Sequence, residues 1–213
     1  MRKKVLFALL LFLLAGCGTE ESGLVIVYEP DVTPMPRPPS PAPPMTPSTG
    51  VAGQAPGAWI PSRRERVWTA IIIHHSATNE GNAAIFDKWH REGNGWCGIG
   101  YDFVIGNGTD SDDGEVEPTY RWRGQLTGAH VGGTPGNWAN EEAIGICLVG
   151  DFNRYMPTIK QREALVKLVR FLQQRYHIPK TRIYGHGTTP GAHVTDCPGR
   201  RFPMSWLKSA LPN

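Results

Sequence analysis

Two groups of soft donor side chains stand out in the 213-residue sequence. Ile73-His74-His75-Ser76 puts a pair of imidazoles at the end of an apolar run. Gly185-His186-Gly-Thr-Thr-Pro-Gly-Ala-His193-Val-Thr195-Asp-Cys197-Pro198-Gly199 puts two more imidazoles and a thiol in one glycine-rich loop. Neutral imidazole and thiolate are ligands that suit zinc, and three of them with a fourth position open are what a catalytic zinc needs. Spacing alone leaves the ligand set open. His193 competes with His186, and a histidine pair at a strand end also reads as hydrogen-bonded structure. The sequence has no His-Glu-x-x-His, so a helix-borne zinc peptidase arrangement is excluded.

The elements that must position these groups follow from periodicity. Thr69-Ala-Ile-Ile-Ile73 is continuous, apolar and β-branched, and predicts a buried central strand that delivers the histidine pair at its C-terminal mouth. Ile85, Phe86 and Trp89 recur at helical spacing in Ala83 to Arg91, before a Gly-Asn-Gly stop. Strands are expected at Tyr101 to Ile105, at Ala143 to Val149 and, briefly, at Arg182 to Tyr184. Thr158-x-x-Gln161 after Pro157 is a capping box. The helix it opens carries Leu165, Leu168, Val169, Leu172 and Tyr176 on one stripe, with Lys160, Lys167, Arg170 and Gln174 facing water and Pro179 closing it. A last short helix is expected from Met204 to Leu211. Alternating strand and helix patterns over roughly 150 residues give an α/β domain. The acidic run from Asp110 to Glu115 reads as an exposed hairpin turn, because it lacks the ligand spacing of a calcium loop.

Read in order, His74-His75-Ser-Ala-Thr78, then Gly98-Ile-Gly-Tyr101-Asp-Phe-Val-Ile105, Gly128-Ala-His130, Ile144-Gly-Ile-Cys-Leu-Val-Gly150, Gly185-His186 and Thr195-Asp-Cys197-Pro-Gly199 resemble the N-acetylmuramoyl-L-alanine amidase type 2 family. That family also includes the peptidoglycan recognition proteins and phage amidase lysozymes. The resemblance runs from about Arg66 to Phe202. It implies a single domain with a central mixed β-sheet flanked by helices, and zinc held by His74, His186 and Cys197, with His75 and His193 as bystanders. It further implies hydrolysis of the amide between the lactyl group of N-acetylmuramic acid and L-alanine, with Tyr101 and Thr195 assisting catalysis and His130 and Asn140 on the substrate side. Relatives that only bind peptidoglycan usually lack the cysteine, so Cys197 favours an enzyme. Two rivals remain: a non-catalytic peptidoglycan-binding lipoprotein, and an amidase for soluble muropeptides. The chain departs from its relatives in reading Gly185-His186-Gly-Thr where many read Gly-His-Arg-Asp, and in placing Asp102 after Tyr101 where histidine is common.

The N-terminal quarter belongs to delivery. Arg2, Lys3 and Lys4 precede 11 apolar residues from Val5 to Ala15, too short to span a bilayer, and Leu14-Ala15-Gly16-Cys17 resembles a bacterial lipobox. Residues 1–16 are therefore expected to be a lipoprotein signal peptide and Cys17 a lipid anchor. Residues 17–58 are expected to be a tether, since 11 of the 19 prolines lie between Pro30 and Pro61. Extended as polyproline II, that stretch reaches on the order of 100 Å. Residues 59–213 form the domain. The expected partners are peptidoglycan or muropeptide and, through the anchor, a membrane; a monomer in the bacterial envelope is expected, on the outer membrane facing the periplasm. The net charge of +3 does not argue for nucleic acid, because the signal segment holds three of the 22 basic and none of the 19 acidic side chains. Cys97 and Cys147 either pair, as export permits, or leave Cys147 a buried strand thiol.

Overall fold

The computed structural model describes residues 57–212. The signal segment, Cys17 and all but the end of the tether lie outside the described residues. The chain enters through a 3-10 turn, Gly57–Trp59, whose Trp59 is buried. Five strands follow: β1 (Ala70–His75), β2 (Phe103–Ile105), β3 (Val116–Pro118), β4 (Ala143–Leu148) and β5 (Ile183–Gly185). Their order across the sheet is β3-β2-β4-β1-β5. β2, β4, β1 and β5 run parallel, and β3 pairs antiparallel at the edge, so the sheet is mixed. Pro118 is tolerated there because an edge strand needs half its amides for nothing. The helices are α1 (Ala83–Glu92), α2 (Tyr120–Gly124), α3 (Trp138–Glu142), α4 (Ile159–Tyr176) and α5 (Met204–Ala210).

Strand side chains alternate between faces, and here the two faces differ in size. Ile71 and Ile73 of β1 join Ile144, Ile146 and Leu148 of β4 and Phe103 and Ile105 of β2 against Leu165, Leu168, Val169 and Leu172 of α4. The opposite face carries Ala70, Ile72, Ala143 and Cys147, with Gly145 beside Ile72. This face is covered more thinly, by Val131 and Ala139 in one patch and by Phe86 and Ile99 in another. His74 shares the face of Ile72, which leaves room above it. His75 shares the face of Ile73.

The capping box forms as expected: Gln161 N–H donates to Thr158 Oγ1 at 3.0 Å and Thr158 N–H to Gln161 Oε1 at 3.1 Å. Gln161 does more than cap. Its buried Nε2 donates to Val149 O at 2.8 Å and Ile105 O at 3.2 Å, tying α4 to the ends of β4 and β2. α4 stops at Tyr176 because His177 turns left-handed, with φ of 55°, before Pro179 is reached.

Three sequence expectations are corrected. The first strand runs on through both histidines instead of ending at Ile73. The strand expected from Tyr101 starts only at Phe103: Gly100 O accepts from Ala129 N–H, and Asp102 marks the limit of the ladder, its N–H donating to Gly145 O and its O accepting from Thr119 N–H. The Asp102 carboxylate replaces the lost backbone partner, Oδ2 accepting from Gly145 N–H at 2.8 Å. The acidic turn is only partly free. Asp110 Oδ2 accepts from Gly81 N–H ahead of α1, and Asp113 Oδ1 from Thr158 Oγ1 at the start of α4. Cys147 is a free, buried thiol, so it is not paired with Cys97.

Candidate metal centre

One potential metal-binding cluster of histidine, cysteine or carboxylate occurs among the described residues: His74, His186 and Cys197, with one donor atom of each lying within 4.8 Å of the others. His74 comes from β1, His186 from the 3-10 turn His186–Thr188 directly after β5, and Cys197 from the loop before α5. The parallel pairing of β1 and β5 sets the first two side by side, rings 4.7 Å apart. Loop closure brings the third. Gly187 N–H donates to Cys197 O at 2.6 Å, Cys197 N–H to Thr195 Oγ1 at 3.2 Å, and the thiol takes a hydrogen bond from His75 N–H. Cys197 Sγ ends 3.6 Å from His74 Nδ1. Gly187 is required here, since a Cβ would stand 2.2 Å from Thr195 O.

The site is largely buried, and its charge states follow. Burial, reinforced by His186, His130 and His75, holds His74 well below the usual imidazole range. Burial, then His193 and His75, brings His186 down to about 4. Both imidazoles are therefore neutral at pH 7 and offer lone pairs. Burial pushes the Cys197 thiol up to about 12, against the pull of the His75 amide. A divalent cation in the triangle reverses that, because a coordinating thiol is deprotonated outright. Two neutral imidazoles and a soft sulfur match zinc in ligand type and number.

The family model for N-acetylmuramoyl-L-alanine amidase matches residues 64–200. The chain belongs to that family. It is 34% identical over 137 residues to Peptidoglycan-recognition protein SC2 of Drosophila melanogaster, a match spanning 60% of this chain and 66% of that one, just under two thirds of the relative's length. Among solved structures, the endolysin N-acetylmuramoyl-L-alanine amidase LysCS from Clostridium intestinale superposes with a TM-score of 0.56 at 31% identity, covering 67% of this chain and 82% of that one. The amidase LysC from the same organism gives 0.56 at 29% identity, covering 73% and 93%. The fold is thus that of a single amidase and peptidoglycan recognition domain.

Within this amidase-family domain the remaining expected residues fall into two classes. Tyr101 stacks beside the triangle, its ring 5.2 Å from that of His74, and its hydroxyl hydrogen-bonds the Cys147 thiol. Burial and then the two thiols raise its pKa well above the usual phenol range, so it is a neutral donor. Thr195 lies two residues before Cys197 and caps that loop, with its hydroxyl proton left to donate. His130 and Asn140, expected on the substrate side, are turned inward. Asn140 Oδ1 accepts from the amides of His130 and Val131, and its Nδ2 donates to Val131 O and Asn137 Oδ1, which exhausts the side chain. His130 is only 6% exposed, and both ring nitrogens are engaged within the protein. The bystanders lie outside the triangle. His75 points to the α4 face, its Nδ1 accepting from Phe152 N–H at 3.0 Å, and His193 is exposed, its ring packed over Gly132 and Gly133.

Sequence reasoning passed over two residues. Gly145 is indispensable, because a Cβ there would meet the His130 ring at 2.6 Å. Asp102 was noted only as a departure. It is wholly buried, Oδ1 has no partner, and burial pushes its carboxyl up to about 7 against the pull of Gly145 N–H, Arg121 and Arg66. A glycine inside an apolar strand was the available signal for the first; an acid entering a buried strand was the signal for the second.

Proposed function

We propose that this chain is a zinc-dependent N-acetylmuramoyl-L-alanine amidase, cleaving the amide between the lactyl group of N-acetylmuramic acid and L-alanine in peptidoglycan stem peptides. One observation carries the reading: Cys197 completes a three-donor set with His74 and His186, the number of protein ligands that a catalytic zinc would take. Bound there, zinc would polarise the substrate carbonyl and lower the pKa of a water toward about 7. The rest falls to the protein. Tyr101 stays neutral and would redirect its O–H from the Cys147 thiol toward the oxygen on which negative charge builds, an interaction worth several kcal/mol. Thr195 Oγ1 already accepts the Cys197 amide, which leaves its O–H to orient substrate or water.

The same reading places the domain in the bacterial envelope, lipid-anchored through Cys17 on a proline-rich tether, where polymeric wall is the substrate within reach. The test incubates purified protein, zinc-loaded and then chelated, with peptidoglycan and with soluble muropeptide. New L-alanine amino groups without new reducing sugar ends, lost on chelation, are expected. Cys197→Ser should abolish that release and weaken zinc. If protein carrying one zinc per chain releases none from either substrate, the domain is a binding module and the enzymatic reading is wrong.

A further inference from the structure

Both ring nitrogens of His130 are spoken for, and the order of their partners fixes where the protons sit. At one end, His130 Nε2 lies 3.3 Å from Ala143 O. A peptide carbonyl can only accept, so Nε2 carries the proton and Nδ1 is left with a lone pair. His130 Nδ1 lies 3.0 Å from His74 Nε2, which must therefore donate. With its proton on Nε2, His74 presents a bare Nδ1, the nitrogen that stands 3.6 Å from Cys197 Sγ inside the triangle. A backbone carbonyl in β4 thus dictates, through two rings, which nitrogen of His74 faces the metal position.

The arrangement is built rather than incidental. The two rings meet edge to face, with centroids 5.0 Å apart. The His130 ring occupies a slot cleared by two glycines: a Cβ on Gly145 or on Gly128 would come within 2.6 Å of its Cδ2. Its backbone amide is gripped by the fully engaged Asn140 at 2.8 Å.

We infer that His130 is a positioning residue, which locks His74 in the Nε2-protonated tautomer and in the ring orientation that makes Nδ1 the ligating atom. This rests on the metal-site reading above. It assigns His130 and Asn140 to the support of the metal centre instead of to substrate. Partners of this kind fix ligand tautomer and raise ligand basicity, and their loss costs about 10–100-fold in metal affinity.

Two measurements test it. Long-range proton–nitrogen NMR on the metal-free wild-type protein should report His74 as the Nε2–H tautomer and His130 likewise; finding the proton on His74 Nδ1 overturns the inference without any variant. Zinc affinity, by chelator competition, should fall about 10–100-fold in His130→Ala. It should recover most of that in His130→Asn, whose amide oxygen can stand where Nδ1 stood. Folding of each metal-free variant is checked by its unfolding transition. Folded His130→Ala with wild-type affinity, or His130→Asn no better than His130→Ala, refutes the positioning role. A wild-type protein that binds no zinc refutes the metal-site reading instead.

Discussion

Asp102→Asn tests whether the buried carboxyl beside β4 is held protonated. The native site raises its pKa from an ordinary 3.8 to about 7, chiefly by burial, and Oδ1 has no hydrogen-bond partner to stabilise a charge. Between those values the folded state holds a proton that the unfolded chain has released, so the unfolded state gains as pH rises and this group's contribution to stability falls. Each pH unit in that window is worth about 1.4 kcal/mol, which makes the whole effect ~4 kcal/mol by pH 7 and constant above it. Asparagine is the neutral counterpart. Its Oδ1 accepts from Gly145 N–H as the carboxyl does, and it has nothing to ionise. Urea unfolding of both proteins, metal-free in chelator, should therefore show the variant gaining on wild type by ~3 kcal/mol between pH 5 and pH 8, with no further gain above pH 8. Taking the difference between the two proteins removes every histidine they share. A difference that stays flat across that range would refute a raised Asp102 pKa, and one that grows in the opposite direction would mean that the carboxylate is the stabilised form.

Other substitutions probe the frame around the centre. Gly187→Ala forces a Cβ against Thr195 O, which is backbone and cannot swing aside; a loss of ~1–3 kcal/mol and weaker zinc binding are expected, measured by urea unfolding and chelator competition. Gln161→Ala strands the Ile105 and Val149 carbonyls and removes half of the capping box, so unfolding in urea should show a loss of ~2–3 kcal/mol with zinc affinity little changed. His193→Ala should leave zinc affinity within about twofold, because the ring is exposed and outside the triangle; a tenfold loss on the same competition assay would mean that the ligand histidine is His193 and not His186.

The parts of the fold that were legible are those with a strong local signal. Continuous β-branched runs gave β1 and β4 within a residue or two, and the Thr158–Gln161 pattern gave α4 with its cap. α2 and α3, at five residues each, are too short to show a period, and each is set by tertiary contacts such as those of the buried Trp122 and Ala139. The start of β2 was missed for a related reason: a side chain, Asp102, takes over a backbone role, and no pattern of hydrophobicity reports that substitution. The inward turn of His130 and Asn140 was illegible in the same way. Their motif marks them as near the groove, but which way each points depends on Gly128 and Gly145, far apart in sequence and adjacent in space.

The choice between His74 and His75 shows how sheet geometry becomes chemistry. Both residues are histidine, both are buried and both lie in β1, so composition and burial cannot separate them. Alternation does. The register pairs His74 with Cys147 and His75 with Leu148, and these neighbours lie on opposite faces of the sheet. The Leu148 face is filled by α4, so His75 has no open space above it and is spent on holding Phe152 N–H and, through its own amide, the Cys197 thiol. The Cys147 face is lined by Ala70, Ala143 and Gly145, and the room left by those small residues is what admits the His130 ring behind His74 and the His186 ring beside it. A slip of β1 by a single residue would put His75 in the triangle and His74 under α4. The small residues opposite His74 therefore shape the candidate metal centre as much as the three donor side chains do.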